Sequence, residues 1–81
     1  MDKRIAVISI VIDDQSASYE VNAVLHEYSE IIIGRMGIPY RERGISVISV
    51  ALDADPDHIS SLAGRLGKIK GVSAKAVVSK K

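Results

Sequence analysis

Between Arg4 and Ile12 the chain is apolar at nearly every position, Ser9 being the exception, and β-branched residues dominate. Such a run predicts a strand buried on both faces. From Asp14 the period changes. Val21, Val24, Leu25, Tyr28 and Ile32 fall at helical spacing, with Asp13, Asp14 or Ser16 able to cap the start. The helix is expected to end near Ile33-Gly34, with Gly34 as its C-terminal cap. Arg35 to Tyr40 then predicts a short strand, placed at a sheet edge by Pro39. Arg41-Glu42-Arg43-Gly44 supplies a hairpin connection, and Ile45 to Leu52 a third strand with Ile48, Val50 and Leu52 on one face. Asp55-Pro56 opens a second helix, whose apolar residues Ile59, Leu62, Ala63 and Leu66 recur until Gly67. Val72 to Ser79 alternates with period two, the mark of a last strand.

The order βαββαβ, with short connections, predicts an α+β ferredoxin-like sandwich: four antiparallel strands with two helices on one face. Residues 1–81 are expected to form one such domain, because 81 residues leave no room for a second core. Both faces of the first and third strands are apolar, yet two helices cover only one. Leaving the other in water costs about 25 cal/mol per Å² of apolar area, so a second subunit is expected to cover it. Gly64, inside the second helix, costs about 1 kcal/mol relative to Ala and suggests close approach of another backbone.

Composition narrows the function. Val and Ile make up 21 of the 81 residues, whereas aromatics are 4% and consist of three Tyr. The core is therefore aliphatic. There is no Cys, hence no disulfide, thiolate nucleophile or thiolate metal site, and a cytoplasmic location is the expectation. The apolar run up to Ile12 is too short to span a bilayer. Six basic residues and no acid lie between Arg65 and Lys81, but a net charge of +1 and the lack of stacking aromatics argue against direct nucleic-acid binding.

Candidate chemistry is sparse. His26, Ser29, Glu30 and Asn22 project away from the apolar stripe of the first helix. His26 and Glu30, at i and i+4, can offer two ligands to a divalent cation, with more from a neighbouring subunit; two ligands are not a metal site, and a solvated polar face or a salt-bridged pair is the favoured reading. His58 reads as a first-turn surface histidine. The acids Asp13-Asp14 and Asp53-Asp55-Asp57 sit at predicted helix starts, where carboxylates cap backbone N–H groups. The glycines form neither GxGxxG nor GxxxxGK[ST]. No nucleophile and base can be paired.

Three segments together, His26-Glu27-Tyr28-Ser29-Glu30, Arg35-Met36-Gly37-Ile38-Pro39 and Ile59 to Val72 with its Leu66-Gly67-Lys68-Ile69-Lys70-Gly71-Val72 ending, closely resemble the family of iron-only hydrogenase system regulators. The resemblance covers nearly the whole chain. It implies an ACT-like fold, related to the C-terminal domain of the nickel-responsive regulator, and a cytoplasmic, non-enzymatic module that forms homodimers or homotetramers and senses a small molecule or a metal. No cofactor is specified, and neither membrane nor direct nucleic-acid binding is expected. The effector site is expected at His26, Ser29, Glu30, Arg35 and Gly37, with Arg35 binding an anionic group through its planar fork. Pairing of Arg35 with Glu30 is the structural alternative. An interaction or assembly subunit without ligand, docking through a sheet face or edge, is the other function class.

Overall fold

In the computed structural model, which describes residues 2–80, the strands are β1 (Arg4–Ile12), β2 (Ile32–Tyr40), β3 (Ile45–Ala54) and β4 (Val72–Val78), and the helices α1 (Ser18–Glu27) and α2 (Pro56–Gly67). The strands form one sheet in the order β2-β3-β1-β4, every adjacent pair antiparallel. This is the ferredoxin-like arrangement read from the periodicity.

One face of that sheet carries the core. Ala6, Ile8, Ile10 and Ile12 of β1 and Ile48, Val50, Leu52 and Ala54 of β3 are buried against Val21, Val24 and Leu25 of α1 and Ile59, Leu62 and Leu66 of α2. Both helices therefore lie on the same side, as the fold requires. No polar side chain is buried among the described residues, so the core is held by aliphatic packing, each fully buried Ile or Leu stabilising by about 1.5–3 kcal/mol.

The opposite face is open in the single chain, so within it β1 is buried on one side only. Val7, Ala51 and Val77 lie in register, as do Val11, Val47 and Ile38, flanking a central Ser9–Ser49 pair and Met36. Val7 is 37% exposed and Met36 68%. In the single chain nothing covers them.

The largest departure from the periodic reading is the end of α1. The helix stops at Glu27 with Tyr28 as C-cap (φ −104°, ψ 17°), a 3-10 turn spans Ser29–Ile31, and β2 begins at Ile32. Three successive β-branched isoleucines prefer the extended backbone, and Ile32 pairs with Leu52. Gly34 consequently lies in the strand, beside an irregularity in the register that leaves Ile33 without a partner, and is no helix cap.

Other boundaries follow the sequence signals closely. Asp55 caps α2, its carboxylate accepting from the His58 N–H at 2.9 Å, with Pro56 at the first helical position. Asp14 accepts from the backbone N–H of Ser16 at 3.0 Å and its hydroxyl at 2.7 Å, capping the 3-10 turn Gln15–Ala17 that leads into α1. Asp53, in contrast, lies within β3 opposite Ile5 and caps nothing. Gly44 closes the β2–β3 hairpin in the left-handed region at φ 64°. Gly64 has no close neighbour in the chain: a Cβ there would meet nothing within 4 Å.

Candidate functional site

The inner positions of β2 are Arg35, Gly37 and Pro39, opposite Val50, Ile48 and Ser46 of β3. An arginine, a glycine and a proline add little to the core, so a groove remains between this edge strand and α1. Two adjoining hollows make it up. One, of about 370 Å³, is lined by Asn22, Leu25, His26, Ser29, Ile32 and Arg35. The other, of about 220 Å³, shares Asn22 and Arg35 and extends over Gly37 and Ile48 to Ser18 and Ser46.

Asn22 fixes the arginine at the junction. Its Nδ2 donates to the Ser18 carbonyl one helical turn earlier at 2.9 Å, which leaves Oδ1 to accept from Arg35 Nη2 at 2.8 Å. Among the described residues no carboxylate forms an ion pair with Arg35. Its partner is neutral, so the guanidinium keeps its full charge and its remaining donors.

Four of the five sequence candidates thus line the groove: His26, Ser29, Arg35 and Gly37. Glu30 does not. Because α1 ends before it, Glu30 sits in the following 3-10 turn rather than one helical turn beyond His26, and it makes no ion pair with Arg35. The described residues hold no group of three or more His, Cys, Asp or Glu able to bind a metal. Asn22, placed by the sequence on the same helix face, is the residue whose importance was not legible, since its contact with Arg35 depends on the turn between α1 and β2.

Further polar constellations lie outside the groove. Across the helices, Arg65 donates to both Glu27 carboxylate oxygens at 2.9 and 3.0 Å, and its guanidinium lies 5.6 Å from the centre of the Tyr28 ring, whose hydroxyl shares a 2.8 Å hydrogen bond with Ser61. The Arg65 bonds lower the Glu27 pKa, and the Ser61 hydrogen bond, then the nearby Arg65 guanidinium, lower that of Tyr28. This exposed network clamps α1 to α2. At the hairpin, Gln15 Nε2 donates to the Gly44 carbonyl and to Ser46 Oγ, both at 3.1 Å, beside a hollow of about 400 Å³ that includes Tyr40 and Arg41. No sequence candidate lines it.

Residues 4–76 match the family model described as "Iron-only hydrogenase system regulator, putative" (TM1266-like). The chain belongs to that family. Its fold superposes on the uncharacterised protein TM1266 from Thermotoga maritima with a TM-score of 0.92 at 41% identity, covering 98% of this chain and 100% of the other. The ACT domain of a Chlorobium tepidum GTP pyrophosphokinase superposes with a TM-score of 0.79 at 19% identity, covering 93% and 99%; that likeness gives the fold, which is ACT-like. A "Putative nickel-responsive regulator" from Saccharolobus islandicus is 29% identical over 66 residues, which are 82% of this chain and 49% of that protein. The chain spans about half the length of the curated relatives it matches. No helix among the described residues is long and apolar enough to cross a membrane.

Proposed function

We propose that this chain is a non-enzymatic, cytoplasmic regulatory module that binds a small effector in the groove between α1 and β2 and assembles as an even-numbered homo-oligomer through its open sheet face. The observation that carries the effector reading is Arg35, held by the amide of Asn22 and, among the described residues, without a carboxylate partner. An arginine so placed presents unused donors to an anionic group. His26 and Ser29 stand on the same groove and can add hydrogen bonds. Family membership and the ACT-like fold support regulation as the role.

Calorimetric titration of the purified chain with inorganic phosphate, acetate and Ni²⁺ tests the site. Saturable heat with either anion that disappears in Arg35→Ala is the expected result. Binding unaffected by that substitution, or no binding by any probe, overturns the effector reading.

The exposed apolar face favours a second reading, an interaction subunit without ligand, in which a partner protein covers Val7, Val47 and Met36. Sedimentation velocity separates the two coverings. A homo-oligomer dissociated by Val7→Glu supports self-assembly, whereas a monomer at all concentrations leaves the face to another protein.

A further inference from the structure

The inner side of β2 distinguishes this groove from a simple anion contact. At the position where a strand ordinarily sends a side chain onto the core, Gly37 sends none, so the rim of the core at Ile48 and Ile12 faces the groove directly. Space is available there: a Cβ on Gly37 would touch only Ile48, at 3.9 Å, an ordinary van der Waals distance. The hollow over Gly37 has a volume of about 220 Å³, below the range of drug-sized sites, which begins at about 300 Å³. Its lining is apolar apart from the Arg35–Asn22 end and two serines, and it includes no acid.

From this geometry we infer that the effector is a short-chain aliphatic carboxylate, its carboxylate on Arg35 and its hydrocarbon chain over Gly37 against Ile48 and Ile12. The inference rests on the reading of Arg35 as the anion site. The missing side chain at 37 sets the length of chain accepted. A free amino acid is disfavoured, because its ammonium group meets no carboxylate in the lining and loses its water without a partner.

Titration with acetate, butyrate, hexanoate, leucine and inorganic phosphate tests the assignment. Each buried methylene should tighten binding by about fourfold. Affinity is expected to climb from acetate to butyrate and level off by hexanoate, where the hollow is full, with leucine weaker than either longer acid. Gly37→Val, a substitution suited to a strand, should abolish the dependence on chain length, and Gly37→Ala should reduce it. Equal affinity for acetate and butyrate in the wild type, or a preference for phosphate or leucine over butyrate, overturns the inference but not the anion site. Loss of acetate binding in Arg35→Ala confirms that site independently. No saturable binding by any of the five probes overturns both.

Discussion

Gly71 is the position where the backbone leaves least freedom. It precedes β4 with φ 83°, and a Cβ built on it would stand 2.7 Å from the Asp14 Cβ, 3.4 Å from the Asp14 nitrogen and 3.6 Å from its Cα. These are atoms on or next to the backbone, so no flexible tip can swing away. The same contact holds a 2.7 Å hydrogen bond from the Asp13 N–H to the Gly71 carbonyl, which ties the start of the α1 connection to the end of the α2 connection. Gly71→Ala therefore incurs two costs. A left-handed conformation for an L-residue costs about 1–2 kcal/mol, and overpacking a tight contact typically adds about 1–3 kcal/mol. Gly44 is the internal control, with φ 64° but nothing within 4 Å of an added Cβ, so Gly44→Ala should lose only the first, about 1–2 kcal/mol. Urea denaturation followed by circular dichroism, at one fixed protein concentration because assembly contributes to stability, reads the difference. With a slope of about 1 kcal/mol/M for a chain this small, Gly71→Ala should unfold at a midpoint lower than that of Gly44→Ala by about 1–3 M. Equal midpoints would refute the close contact as the reason for glycine at 71.

Leu62, fully buried at the centre of α2's inner face, should cost about 2–5 kcal/mol as Leu62→Ala, measured by the same denaturation; a loss under about 0.5 kcal/mol, as at surface sites, would mean the core is not packed as described. Stability should fall with acid. The Ser16 hydrogen bonds lower the folded pKa of Asp14, the His58 backbone and ring bonds that of Asp55, and the Arg65 bonds that of Glu27, from ordinary values of 3.8 for aspartate and 4.5 for glutamate. A depressed folded pKa contributes stability that is present above the unfolded value and lost as pH falls through the folded one. The melting temperature is thus expected to hold steady above about pH 5 and decline below about pH 4, with Ser16→Ala flattening part of the decline; a fall that begins above pH 6 would contradict these assignments. On the open face, Val7→Glu should leave the circular dichroism spectrum unchanged while lowering the sedimentation coefficient, and an unaltered coefficient would remove that face from the assembly.

How far the sequence reveals these features depends on the range of the interaction concerned. α2 was legible throughout, since the Asp55-Pro56 start, the Ile59-Leu62-Leu66 stripe and Gly67 act within one turn of one another. The Gly44 hairpin was legible for the same reason. The end of α1 was not, because Ile31, Ile32 and Ile33 satisfy the helical stripe and the strand preference at once, and only pairing of Ile32 with Leu52 decides between them. That shift moved Glu30 off the His26 face and dissolved the two-ligand pair the helical projection suggested. The apolar character of both sheet faces was visible in β1 and β3, yet periodicity says nothing about what covers the second. Arg35 and Gly37 were legible as candidates, whereas the Asn22 contact that fixes Arg35 joins elements across a turn whose path no local pattern specifies.

Native mass spectrometry of the protein purified from its own host decides whether the chain is an assembled regulatory module with an effector in the Arg35 groove. One spectrum reports the number of subunits and any mass retained without a covalent bond. An even-numbered oligomer carrying a discrete extra mass, absent from Arg35→Ala prepared in the same way, is the expected result. A monomer without added mass, at concentrations where the wild type is folded, would contradict it.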